Sequence, residues 1–344
     1  MPPRPNLNLT RQSASARLAD RSHPARPGGS ALAPVQPTPC RRLWMRGLAG
    51  TALLAICGKA HGQVLDEDAD PVIETLQLAG AALEVQFAPG FDQGQRAQAL
   101  AWVQRSAQAV VGYFGRFPLR AVVLLMVPVD GAGVRSGVTF GDPEVMIRLR
   151  LGRNTTELQF LDDWVLVHEM VHLAVPRVPR SQNWLQEGLA TYVESVARGR
   201  AGLVPAASVW RGWKANMPQG QPQAGDAGLD HTPTWGRTYW GGAIFCLLAD
   251  VQVLTRSAGR AGLQQALQGV LAAGGHHGVA WSLDRILATA DAAVGQTTLS
   301  TLYQQMKASS QPTDLQALWR SLGVLDDGFD DAAPLAAVRR AILS

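Results

Sequence analysis

The chain is short of charge, of cysteine and of long apolar runs. Only 17% of its 344 residues are Asp, Glu, Lys or Arg, which excludes a coiled coil and a chain kept open by its own charge. With 47% hydrophobic residues and no collagen-like repeat, the composition is that of a soluble globular protein. No apolar run approaches the roughly 20 residues of a spanning helix, so a multi-span membrane protein is excluded. Of three cysteines, Cys40 and Cys57 fall early, leaving Cys246 alone in the remainder. No intramolecular disulfide can form there, and within Ala243-Ile244-Phe245-Cys246-Leu247-Leu248 it reads as a core thiol. A surplus of basic charge over the folded part is also missing. Residues 1–62 hold eight Arg, one Lys and one Asp, a net of +8; the whole chain is +4, so residues 63–344 are net −4. A phosphate-binding surface is not indicated, and no alternation of aromatic and basic residues suggests stacking on bases.

The first 40 residues are rich in Pro, Arg and Ser and lack apolar periodicity, the pattern of disorder. Cys40 to Arg46 is positively charged, Gly47 to Gly58 is apolar, and Ala60-His61-Gly62 is small-x-small. This is a secretory signal peptide with cleavage near Gly62, so the expected location is secreted or periplasmic. Its distance from Met1 makes Met45 an alternative start. Ile56 stands where a lipoprotein signal needs a small residue, so Cys57 is not read as an anchor. The leader, if uncleaved, is the expected tie to a membrane. Residues 63–70 read as an acidic linker.

Alternating apolar residues predict strands at Pro71–Leu78 and Ala82–Phe87, joined near Gly80. An amphipathic helix is predicted over Gln93–Phe117, ended by Pro118. Ala121–Val127 reads as a central strand buried on both faces, and Val145–Leu151 as a strand with one wet face whose edge holds substrate in extended form. Helical periodicity covers Leu161–Leu173 and Asn183–Ala197, with Pro176 and Pro179 between. From Tyr239 onward the pattern is helical: Gly241–Leu254, Gly262–Ala273, Ser282–Ala290, Leu299–Lys307, Leu315–Leu322 and Pro334–Leu343. Strands first and helices after imply an α+β fold, with a sheet-bearing lobe over 71–174 and a helical lobe over 183–344.

Within the helix at 161–173 stands His168-Glu169-Met170-Val171-His172, an H-E-x-x-H motif. Random placement yields it about once in 300 chains of this composition. On a helix, His168 and His172 project from one face a turn apart, so both imidazoles can reach one zinc ion, while Glu169 beside them can act on a water without ligating. A catalytic zinc needs a third protein ligand. Glu187, in the first turn of the helix opening Trp184-Leu185-Gln186-Glu187-Gly188-Leu189-Ala190-Thr191-Tyr192-Val193-Glu194, is the candidate; a carboxylate favoured by the helix dipole is the plainer reading. Two His and one carboxylate leave a fourth position open, the pattern of a hydrolytic site. Glu194, seven residues on, is placed to accept a hydrogen bond from a ligand imidazole. Trp184 is expected to pack beside the site.

The pair HEMVH and WLQEGLATYVE resembles the gluzincin metallopeptidases, especially the catalytic domains of aminopeptidase N-type enzymes and the peptidase-MA-like and glycyl-aminopeptidase families. The resemblance runs from Val165 to Glu194 and more weakly through the helix near Tyr239. It implies a thermolysin-like zincin fold, one zinc on His168, His172 and Glu187, Glu169 as general base and a peptide or protein substrate. Those families carry an oxyanion-stabilising tyrosine in Y-x-K-G; here the sequence is Tyr239-Trp240-Gly241-Gly242, so Tyr239 matches and Gly241 replaces the lysine. That departure keeps open a non-catalytic zinc- or peptide-binding protein on the same scaffold. The Gly-Ala-Met-Glu-Asn segment that recognises a free amino terminus is not found, and the metzincin extension after His172 is missing. Among other histidines, His231 is weighed as a transition-state donor against a solvated loop residue, and His276 and His277 are expected to cap a turn.

Overall fold

The computed structural model describes residues 70–344. The leader, the signal peptide and nearly all of the acidic linker expected for residues 1–70 lie outside these residues.

Two strands, β1 (Val72–Leu78) and β2 (Ala81–Phe87), form the first hairpin. Its two-residue turn, Ala79-Gly80, has φ of 49° and 78°, the double positive φ whose twist matches that of paired strands. Helix α1 (Gln93–Phe114) starts at Asp92, which accepts from Gln95 N while the Gln95 side chain accepts from Asp92 N. It ends at Phe114, three residues before the predicted end, because Gly115, φ 75°, takes the left-handed cap without a Cβ penalty. Strands β3 (Ala121–Val129), β4 (Val134–Phe140) and β5 (Met146–Gly152) complete a mixed sheet ordered β1-β2-β3-β5-β4.

Two expectations are corrected here. Strand β3 is central, but only Val122, Leu124 and Met126 are fully buried, whereas Val123, Leu125 and Val127 are half-buried. Register explains why: Val123 and Leu125 stand beside Glu84 and Gln86 on β2, and Leu125 and Val127 beside Arg148 and Arg150 on β5. That face of the sheet is therefore lined by polar and charged neighbours, Arg148 and Arg150 being exposed and Glu84 and Gln86 half-buried. Strand β5 offers no edge, being paired parallel to β3 and antiparallel to β4. The edge on that side of the sheet belongs to β4, whose Val-Arg-Ser-Gly-Val-Thr-Phe lacks the sustained alternation that betrays a strand.

The helix predicted over Leu161–Leu173 is two helices, α2 (Glu157–Asp162) and α3 (Val165–His172). Asp163 breaks them with an extended backbone, and its Oδ2 accepts from Leu166 N at 3.1 Å and Trp102 Nε1 at 3.2 Å. Next come α4 (Asn183–Arg200) and α5 (Ala206–Asn216), the second of which had no counterpart in the sequence reading. Helix α6 (Gly242–Arg256) continues from a π-helical turn at Arg237–Gly241. The remainder is helical: α7 (Leu263–Ala272), α8 (Leu283–Val294), α9 (Thr298–Met306), α10 (Leu315–Leu322) and α11 (Ala336–Ile342). The class is α+β, and among the described residues one hydrophobic core runs from Ala81 in the sheet to Ile342 in the last helix. Cys246 is a buried free thiol within it.

Helices α4 and α6 meet glycine to glycine. A Cβ on Gly188 would lie 2.4 Å from Gly242 Cα, and one on Gly242 would lie 2.2 Å from Trp184 O. Backbone cannot yield as a flexible side chain does, so Gly188→Ala is expected to cost about 1–3 kcal/mol. Urea unfolding would show it as a lower midpoint at unchanged slope; an unshifted midpoint would mean the helices separate freely.

Candidate active site

Helix α3 presents His168, Glu169 and His172, all of them buried at 5%, 7% and 7% exposure. The two imidazoles stand edge to face with centroids 5.0 Å apart, as one helical turn requires. Glu187 approaches from α4, and its Oε2 lies 3.3 Å from His168 Nε2 and 3.6 Å from His172 Nε2. Glu187 is the fifth residue of α4 rather than part of its first turn, because the helix opens at Asn183 after a tight turn over Arg180–Gln182. The dipole reading weakens accordingly, since that effect fades past the first turn. Asn183 Nδ2 donates to the other oxygen of Glu187 at 3.4 Å.

One donor atom from each of His168, His172 and Glu187 falls within a 4.8 Å cluster. A tetrahedral zinc with bonds of about 2.0–2.2 Å sets its ligand atoms about 3.3–3.6 Å apart. The two spacings to Glu187 match that edge length, so the residues fit the ion. Electrostatics favour the same arrangement. Burial favours the neutral acid at Glu187, yet His172 and His168 hold its carboxyl far below the usual range. Burial also opposes charge on His172, but Glu187 and then Glu169 raise its pKa overall.

Glu169 is held by the edge strand. Thr139 Oγ1 lies 2.7 Å from Glu169 Oε2 and 2.9 Å from Glu169 O, so its single proton has two acceptors. Gly137, two residues earlier on the same strand face, makes room for the carboxylate: a Cβ there would lie 2.5 Å from Glu169 Cγ. Neither residue was singled out from the sequence.

Tyr239 sits in the π-helical turn, its ring stacked on His168 at 6.2 Å and on Trp235 at 5.7 Å. The same turn carries Arg237, which forms a buried ion pair with Asp226 (Nε to Oδ2, 2.9 Å) and donates from Nη1 to Gly220 O at 2.8 Å. A Cβ on Gly241 would lie 3.2 Å from Arg237 Nη1 and 3.1 Å from Leu229 Cδ2. Where the resembling families carry lysine, Gly241 thus lies close against the Arg237 guanidinium.

Glu194 behaves differently from expectation. Its oxygens accept from Ser195 Oγ at 3.0 Å and Arg198 Nη1 at 3.4 Å, while the buried His168 Nδ1 has no hydrogen-bond partner. Arg198, one turn along α4, captures the carboxylate that was expected to orient an imidazole. Burial raises the Glu194 pKa against the pull of Arg198 and His168. Trp184 packs on Phe245 and Tyr303 and donates to Asp230 Oδ1 at 2.7 Å. His231 is exposed. His276 caps a turn, its Nδ1 accepting from Gly278 N at 3.1 Å. His277 does not: its ring is buried 6.2 Å from that of His172. Burial, aided by His172 and Arg177, pushes its pKa down to about 4. Nothing in the Gly-Gly-His-His segment marks one histidine as inward; the contact is made by tertiary folding.

No protein-family model matches the chain, and no curated protein matches it. Among solved structures it is similar to an aminopeptidase N family protein from Idiomarina loihiensis, with a TM-score of 0.56 and 13% identity over 74% of this chain and 49% of that one. It also aligns with an M1 zinc metallopeptidase from Deinococcus radiodurans at a TM-score of 0.47 and 15% identity, over 71% of this chain and 53% of that one. The chain spans about half the length of these proteins. The first likeness shows a gluzincin-like fold, the fold implied by the two motifs.

Proposed function

We propose that this chain, built on the fold it shares with the aminopeptidase N family protein, is a zinc-dependent peptidase. The observation that carries the proposal is the meeting of donor atoms from His168, His172 and Glu187 within 4.8 Å, both histidines standing 3.3–3.6 Å from Glu187, with Glu169 beside them on the same helix. Held by these three residues, one zinc ion would polarise a peptide carbonyl and lower the pKa of a bound water. Glu169 takes the proton from the attacking water and passes it to the leaving amine. Thr139 keeps the Glu169 side chain in place through the hydroxyl bond. The Tyr239 phenol, positioned by stacking on His168, donates to the developing oxyanion. The outer side of β4 offers backbone groups to an extended peptide, the role first assigned to β5. Export to the periplasm or exterior through the leader belongs to the same reading.

Elemental analysis of the purified full chain should give one equivalent of zinc. A peptide library incubated with it should show cleavage that chelation stops and zinc restores. Metal near one equivalent without any cleavage would favour a zinc- or peptide-binding protein, the reading that the glycine at 241 keeps in play.

A further inference from the structure

Five residues beyond His172, the chain passes Arg177, whose surroundings are unusual. Its backbone is clamped to the segment after His277: Arg177 N donates to Val279 O at 2.9 Å and Trp281 N donates to Arg177 O at 3.1 Å. His277 N in turn donates to Leu173 O at 3.1 Å. From the sheet side Gly141, just past β4, closes the cluster. A Cβ there would lie 2.6 Å from Arg177 Cδ and 2.8 Å from His277 Cδ2. The His277 ring then bridges to His172, with centroids 6.2 Å apart. The Arg177 side chain is thereby held at the Phe140 end of the edge strand, next to His277, whose ring neighbours that of His172.

The three buried arginines have carboxylate partners, Arg198 with Glu194, Arg237 with Asp226 and Arg339 with Asp331, whereas Arg177 is half-buried. Among the described residues no carboxylate pairs with Arg177, and its Nε is buried without a hydrogen-bond acceptor. A planar guanidinium fork matches a carboxylate, to which it makes two parallel charge-assisted bonds. In an extended peptide, side chains on one face recur about every 6.7 Å, so a carboxylate can stand one such step from the bond being cut.

The geometry points to Arg177 as a substrate-selecting residue that receives a carboxylate close to the bond held at His168, His172 and Glu187; this rests on the peptidase reading above. The carboxylate is supplied either by an Asp or Glu side chain or by the carboxyl terminus of the peptide.

The test measures binding. The full chain carrying Glu169→Gln, to stop turnover, is loaded with one equivalent of zinc. Fluorescent octapeptides are titrated by anisotropy: an all-Gln parent with an amidated end, the same parent with a free carboxyl end, and a scan placing one Glu at each position. At least one carboxylate-bearing peptide should bind about tenfold tighter than the amidated parent. Adding Arg177→Gln should bring that advantage within about twofold, leave the amidated parent's affinity unchanged, and Arg177→Lys should restore part of it. A merely structural arginine would weaken all peptides alike. Preference for the scan peptides identifies a side-chain carboxylate, and preference for the free end a terminal one. Equal affinities for all peptides, or an advantage that survives Arg177→Gln, would overturn the inference. The outcomes separate from those of the cleavage assay: preference without cleavage by the unmodified chain sinks only the peptidase reading, and cleavage without preference sinks only this one.

Discussion

Glu169→Gln is expected to lower kcat for peptide hydrolysis by about 10²–10⁴-fold, the usual worth of a positioned general base, and to leave one zinc bound. The substitution is close to isosteric, so it opens no cavity in a buried site. An amide oxygen can still accept from Thr139 Oγ1, which stands 2.7 Å from the present carboxylate. The neutral amide, however, has no basic site for the proton of an attacking water. The loss amounts to about 3–5 kcal/mol of transition-state stabilisation. It should appear in kcat rather than in KM, because the group acts on the reacting water more than on the bound peptide. Zinc content and thermal midpoint measured on the same preparation guard against a trivial loss of fold or metal. Turnover undiminished in a correctly folded, zinc-loaded variant would remove Glu169 from its assigned role.

The residues of this centre were legible because their spacing is local. His168 and His172 share a helical face by periodicity alone, and Glu187 follows in a segment whose helical pattern is plain. What escaped were residues whose role depends on register between distant segments. Thr139 and Gly137 meet Glu169 because an irregular edge strand is carried there by pairing with β5, and their own alternation is too weak to announce a strand. Asp163 was read as the interior of a helix, yet its carboxylate bonds a backbone N–H three residues on; Asp competes with the helix in this way wherever it stands. Burial pushes its carboxyl up to about 6, against the Leu166 and Val165 N–H groups, an effect no window of sequence contains. Glu194 shows the converse error. Its spacing from Glu187 was right for the same helix face, but Arg198 on the next turn claims the carboxylate, and competition among neighbours is decided by side-chain placement. Arg177 and His277 come together through a single bridge between segments about a hundred residues apart.

Zinc should stabilise the protein much more at pH 8 than at pH 5.5. In the metal-free pocket the two kinds of ligand have opposite proton preferences. His172 has a folded pKa raised above its ordinary value near 6.5. Its contribution to stability is complete below that value and is lost as pH rises through the raised folded one. Glu187 is depressed from its ordinary value near 4.5, so its contribution is complete above that value and is lost only as pH falls through the lower folded one. The metal-free pair therefore stabilises the fold best between these ordinary values. A zinc ion requires both imidazoles neutral, so it competes with the proton on His172 and binds more tightly as pH rises past that group. At free zinc of 100 Kd the ion adds about 2.7 kcal/mol, which for a domain of this size raises Tm by about 5–10 °C. Calorimetry at buffered free zinc fixed at 100 times the pH 8 Kd should show that rise at pH 8 and little of it at pH 5.5. Glu187→Gln should remove most of the rise at both, because a neutral amide neither offsets the ion's charge nor ligates it well. An equal rise at the two pH values, or one that survives Glu187→Gln, would mean that the ion sits elsewhere than between α3 and α4.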